Sequence, residues 1–184
     1  MDALPKGRRL RVMFQDEGRF GCCGHVRRSW APSRLRPVCR TRLARAYSYA
    51  FTAVDPLRGA ICSLVLPRAN LEMTELFLRC LGRRFRRDVV LLLMDRAAWH
   101  TSGRLRVPEN VRLDFLPSYS PQLNPVEHVW KEIRRDYFTN ALFTDLDAVD
   151  ATLCAAFQAL HKSPKRVKSF TGFDWIITSL KNAS

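Results

Sequence analysis

Three carboxylates stand in three separate motifs of this 184-residue chain. Asp16 follows Val12-Met13-Phe14-Gln15, Asp95 follows Leu91-Leu92-Leu93-Met94, and Glu127 follows Asn124-Pro125-Val126. Hard divalent cations prefer oxygen ligands, and two such ions can clamp a phosphodiester during in-line displacement. In a basic chain this set points to metal-dependent cleavage or transfer of nucleic-acid strands. The expected ligands are Asp16, Asp95 and Glu127, and the expected cofactor is a pair of Mg²⁺ or Mn²⁺ ions, which suit an all-oxygen site. Zinc fits poorly, because Cys22-Cys23 with His25 lacks a paired second half.

Each acid also has a plain structural reading. Asp16 suits a turn before Gly18, and Asp95 suits a cap on a following helix. Glu127 stands three positions after Asn124, a capping-box spacing with Pro125 at the first helical position. Lys131 lies four residues beyond Glu127, a favourable ion-pair spacing. Glu17 rivals Asp16, but consecutive strand residues point to opposite faces, so one of the two should face the metals.

The bulk properties select a partner. The formal charge of +14 opposes compactness by self-repulsion and suits a polyanion. Nucleic acid comes first, because neutralising phosphates releases counterions. The basic residues are mostly Arg, which suits bidentate phosphate contacts. No apolar run approaches the roughly 18 residues of a spanning helix, so no membrane role is expected. The N-terminus lacks the apolar centre of an export signal. Reduced thiols in a cytoplasm are the expected setting. With 47% apolar residues the chain has material for one core.

The acids need elements to hold them. Leu10 to Gln15 reads as a strand closed by Asp16. Val26 to Ala31 reads as a short strand ending at Pro32. Ala46 to Val54 and Ala60 to Leu66 flank the turn Asp55-Pro56-Leu57-Arg58-Gly59 and predict a hairpin. Asn70 can cap a helix from Leu71 to about Arg84. Asp88 to Met94 is a continuous apolar run, the mark of a central strand covered on both faces. A short helix over Ala97 to Leu105, a strand over Val111 to Leu116, and helices from Pro125 to about Tyr137 and from Asp145 to His161 complete the pattern. Phe170 to Leu180 is apolar enough to dock. The order predicts an α/β fold, a mixed sheet with helices on its faces. If the first and central strands are adjacent and parallel, Asp16 and Asp95 emerge at one edge, where such sheets place ligands. The expected divisions are a flexible leader over 1–9, a catalytic domain over 10–161 and a basic extension over 162–184.

Several segments together resemble the DDE transposases of the mariner-type superfamily, in their bacterial insertion-sequence branch. Gln15-Asp16-Glu17-Gly18-Arg19-Phe20 resembles the first motif. Arg28-Ser29-Trp30-Ala31-Pro32 with Arg36-Pro37 resembles the Trp-Ala-Pro…Arg-Pro segment, and Ala53-Val54-Asp55-Pro56…Gly59 the hairpin. Met94-Asp95-Arg96-Ala97-Ala98-Trp99-His100 resembles the second motif. Leu116 to Trp130, containing Ser120-Pro121-Gln122-Leu123-Asn124-Pro125-Val126-Glu127, is a nearly complete third motif. The resemblance covers about residues 10 to 140. It implies an RNase H-like mixed five-stranded sheet flanked by helices and a triad at Asp16, Asp95 and Glu127. It further implies metal-dependent cleavage at element ends and insertion into target DNA. Transposon ends and target DNA are the implied partners, with a homodimer in the active complex. Arg96 stands where the family usually has Asn, a cation beside a metal ligand. Family members usually carry helix-turn-helix domains before the catalytic part. The expectation is that a separately encoded subunit supplies them, or that the chain is a truncated remnant.

The expected DNA contacts are Arg27, Arg28, Arg34 and Arg36 in the densest basic stretch, Arg96 and His100 near Asp95, and Lys131, Arg134 and Arg135 beside Glu127. Such contacts position a duplex without reading its bases. Two alternatives stay open: a non-catalytic DNA-binding fragment that regulates a full-length transposase, and an RNase H-type or junction nuclease.

Overall fold

Five strands form one mixed sheet in the order β3-β2-β1-β4-β5. The computed structural model describes residues 7–22, 32–34, 46–97, 100, 103–118 and 120–182. The strands are β1 (Arg9–Gly21), β2 (Tyr47–Asp55), β3 (Ala60–Leu66), β4 (Asp88–Met94) and β5 (Val111–Phe115). β2 runs antiparallel to β1 and to β3, whereas β4 runs parallel to β1 and to β5.

Strand alternation divides the apolar residues between two faces. On one, Met13, Phe51, Ala53, Val90 and Leu92 pack on Phe77, Leu78 and Leu81 of α1 (Leu71–Arg84). Asn70 caps this helix as expected, its Oδ1 accepting from the Met73 N–H at 3.0 Å. On the other, Phe14, Phe20, Ala50 and Val54 pack on four helices: α2 (Val126–Ile133), α3 (Leu146–His161), α4 (Pro164–Thr171) and α5 (Asp174–Asn182). α2 continues into one π-helical turn over Arg134–Phe138. Val167 and Ile176, 0% and 1% exposed, bring α4 and α5 into this core, so the expected basic extension docks. Gly59 (φ +69°) lets the β2–β3 turn meet α4, since a Cβ there would lie 2.0 Å from the Pro164 carbonyl oxygen.

Two expectations need correction. β1 does not stop at Gln15. It runs to Gly21, because Gly18 to Gly21 pair with Tyr47 to Ala50 of β2. Asp16 therefore lies within a strand, not at its end. Gly103, Arg104 and Leu105, expected at the end of a helix, are not helical. The rest of that helix, apart from Ala97 and His100, lies outside the described residues, as does the expected strand over Val26 to Ala31. Among the described residues no helix is long and apolar enough to cross a membrane.

Candidate active site

The parallel register of β1 with β4 ends at Phe14 opposite Leu93. Two steps further along each strand stand Asp16 and Asp95, level with one another. β4 finishes at Met94, so Asp95 is the first residue past its end. Beyond Phe14 the flank of β1 on that side is free of β4, which opens the space the two acids share.

Asn124 brings the third acid there. Its Nδ2 donates to the Gln15 carbonyl at 2.9 Å, and its Oδ1 accepts from the Val126 N–H at 3.1 Å. One side chain thus ties the first turn of α2 to the strand residue beside Asp16. The Glu127 N–H donates to the Asn124 carbonyl at 3.2 Å. Asp16, Asp95 and Glu127 line one cavity of about 420 Å³, walled also by Arg96, Ser118 and Ser120.

Each strand carboxylate has its own support. The Trp130 indole N–H donates to Asp16 Oδ2 at 2.8 Å. Burial pushes Asp16 up to about 7, the Trp130 bond pulls the other way, and repulsion from Glu127 and Glu17 adds to the rise. Asp95 Oδ1 accepts from the Ala97 N–H at 3.1 Å and lies 2.7 Å from His100 Nδ1. That His100 bond, the largest cause, holds Asp95 below its ordinary value. His100 Nε2 lies 2.8 Å from Glu17 Oε1. Both ring nitrogens face carboxylate oxygens, so both donate and the ring is an imidazolium. Burial alone would lower the His100 pKa, but the bonds to Asp95 and Glu17 prevail and raise it to about 9.

Glu17 points to the α1 side of the sheet, as alternation requires, and Asp16 to the α2 side. Ligand atoms of Glu17, Asp95 and His100 lie within 4.8 Å of one another. There the imidazolium already supplies the positive charge. The cavity is different: three carboxylates and two serines offer oxygen, and repulsion at Asp16 is the strain that a divalent cation relieves. The residues fit a hard cation.

The expected DNA contacts fall into distinct groups. Arg34, Arg96 and Lys131 are exposed, and Arg96 is on the cavity wall. His100 is 2% exposed with both nitrogens engaged, so it orients Asp95 and does not reach a phosphate. Arg134 is partly buried, its guanidinium 5.2 Å above the Phe20 ring, with its charge felt by Glu127 and Asp16. It acts as an internal counter-charge. Arg135 is exposed but grips Glu132 at 2.6 Å and Asp136 at 2.7 Å. Arg27, Arg28 and Arg36 lie outside the described residues.

The residues that sequence reasoning missed are the supports. Trp130 lies on the apolar face of α2 and is 1% exposed. The available signal was its N–H, because a buried indole needs an acceptor. Asn124 was expected only as a cap, and nothing local points to Gln15.

A family model described as a DDE superfamily endonuclease matches residues 11–150. The chain belongs to this family. The chain is 37% identical over 130 residues to the uncharacterized protein y4pE/y4sA of Sinorhizobium fredii, covering 70% of this chain and 96% of that one. Its fold is similar to the Mos1 strand transfer complex, with a TM-score of 0.61 and 20% identity, covering 89% of this chain and 55% of that one. It is also similar to the mariner Mos1 paired end complex with Mg, with a TM-score of 0.60 and 20% identity, covering 88% and 53%. The likeness shows the RNase H-like fold of transposase cores. The chain spans about half the length of the Mos1 chains it matches.

Proposed function

We propose that this chain is the catalytic domain of a bacterial transposase, cutting DNA strands and joining them to a target. The observation that carries the reading is the single cavity lined by Asp16, Asp95 and Glu127, acids drawn from three motifs. Two Mg²⁺ or Mn²⁺ ions held by these carboxylates would stabilise charge on the entering and leaving oxygens of the phosphodiester.

The chain's own residues prepare that site. Trp130 fixes the direction of the Asp16 carboxylate, and His100 fixes Asp95. Asn124 sets how closely Glu127 approaches both. In this reading Arg96, on the wall, and Lys131, on α2, would meet phosphate oxygens and orient the backbone for in-line attack. Transposon ends and target duplex are the partners of this reading. A homodimer and a separately encoded helix-turn-helix subunit complete its active complex, beside the nucleoid.

Nicking of a terminal-repeat duplex, supplied with a helix-turn-helix subunit, tests the reading. Cleavage that requires Mg²⁺ or Mn²⁺ and disappears in Asp95→Ala supports it. Cleavage surviving in Asp95→Ala would remove the assigned site. DNA binding without any metal-dependent cleavage would select the regulatory fragment, and preference for RNA–DNA hybrids or four-way junctions another nuclease.

A further inference from the structure

The end of the sheet opposite the cavity carries a concentration of arginines that the proposed chemistry does not use. β1 and β4 start there, and the β2–β3 turn and the end of α1 lie at the same end. Arg9, Arg58, Arg83, Arg84, Arg86 and Arg87 are all exposed. From Asp88 to Asp95 the strand rises about 23 Å, at roughly 3.3 Å per residue. These side chains therefore do not belong to the site at Asp95.

Acids of the same end are drawn inside. Asp55 and Asp88, 0% and 5% exposed, both bind Arg11, at 2.6 and 2.7 Å. Arg11 meets both from beneath, Arg58 also pairs with Asp55 at 3.3 Å and Arg9 with Asp88 at 3.7 Å, and the charges of Arg83, Arg86 and Arg87 are left to the outer surface. Glu109 is an exposed acid of the β4–β5 connection. Arg83 and Arg84 have a local explanation, since cations favour the last turn of a helix. Arg86 and Arg87 lie past that turn and have none.

Their mounting is rigid. Arg86 and Arg87 occupy the middle of a tight turn closed by the Asp88 N–H donating to the Phe85 carbonyl at 2.8 Å. Asn110 Nδ2 reaches the Gly82 and Phe85 carbonyls at 3.1 and 3.2 Å, and the Arg11 guanidinium lies 4.5 Å above the Phe85 ring. A backbone held this way loses little freedom when the side chains grip a partner.

We propose that this end is a docking surface for the phosphate backbone of duplex DNA, remote from the scissile phosphate. It rests on the reading of duplex DNA as the substrate. Guanidinium groups without a recognition pocket suit repeated phosphates, and the grip is independent of base sequence.

The test is anisotropy of a labelled random-sequence duplex, without divalent metal, across a NaCl series, on the full chain. The variant combines Arg83→Ala, Arg86→Ala and Arg87→Ala, all at exposed positions, with circular dichroism to verify folding. Each lost phosphate contact flattens the plot of log K against log salt by about 0.9, so the slope should become shallower by roughly 3. Asp95→Ala should keep the original slope while losing nicking. A folded triple variant with unchanged slope and affinity overturns the proposal. If the unsubstituted chain still nicks DNA in that case, the active-site reading stands alone. If the unsubstituted chain neither binds nor nicks duplex DNA, both readings fall.

Discussion

The Trp130 indole and the Asp16 carboxylate meet at 2.8 Å although 114 positions separate them in the chain. Gly18 makes the meeting possible. A Cβ at Gly18 would lie 2.8 Å from the Phe20 ring and 2.9 Å from the indole, so glycine lets both rings come this close to β1. The indole also packs edge-on against Phe20 and Phe157, with centroids 5.9 and 6.5 Å away. Trp130→Phe keeps an aromatic ring and removes the donor. Loss of a hydrogen bond to a charged group costs about 1.5–3 kcal/mol. If that cost falls on the metal-ligating form, nicking at saturating DNA should drop at least tenfold, with only a few degrees lost from Tm. Unchanged cleavage would show that Asp16 needs no such support.

His100 is the cation between two acids. The Glu17 side chain is 8% exposed and that of Asp95 is 58% exposed, so removing His100 leaves mainly Glu17 stranded. His100→Ala is expected to destabilise the fold by roughly 3 kcal/mol in urea denaturation. Adding Glu17→Gln should recover about 1 kcal/mol or more, because the stranded charge is then gone. Additive losses in the double variant would contradict the ion-pair account.

His161 gives the fold a pH dependence away from the active site. Arg84 can only donate, so His161 Nδ1, 3.2 Å from Arg84 Nη2, accepts and the ring is neutral. Burial, then the nearby Arg84 charge, hold its pKa below the ordinary 6.5. A folded-state pKa lower than the unfolded one means that the unfolded chain takes up the proton first. The stabilisation is complete above pH 6.5 and is lost as pH falls through the folded-state value. Asp16, with its raised pKa, acts in the opposite sense, so the His161 effect is read as a difference: the Tm advantage of the unsubstituted chain over His161→Gln should shrink as pH falls below about 6.5.

Arg96 places a positive charge on the wall of a cavity proposed to hold cations. Arg96→Asn should tighten Mg²⁺ binding by about 1 kcal/mol, or roughly fivefold, measured by calorimetry at low salt. The same change should weaken DNA binding if the guanidinium meets a phosphate. An unaltered Mg²⁺ isotherm would mean that Arg96 is too well solvated to matter.

Much of this was legible because it is local. The run Val89 to Met94 is apolar without a break, and it forms the interior strand β4, between β1 and β5. Asn70 announced the start of α1. The three acids were visible because each sits in a short motif. What was not legible depends on distant partners. Glu17-Gly18-Arg19 looks like a turn, yet it is strand because β2 pairs with it across an intervening segment. His100 was expected at a phosphate, and its partner Glu17 stands 83 positions earlier in the chain. Arg134 and Arg135 are adjacent and look equivalent. The helix turns one inward beneath the acids and the other outward onto Glu132.

Docking of α4 and α5 bears on where the polymer can be cut. A fragment stopped at His161 would strip Val167 and Ile176 from the interior and leave the Gly59 corner bare. Such a piece would display greasy patches to solvent and clump at working concentrations. Any smaller version for crystallisation or fusion has to keep the chain through Ile176.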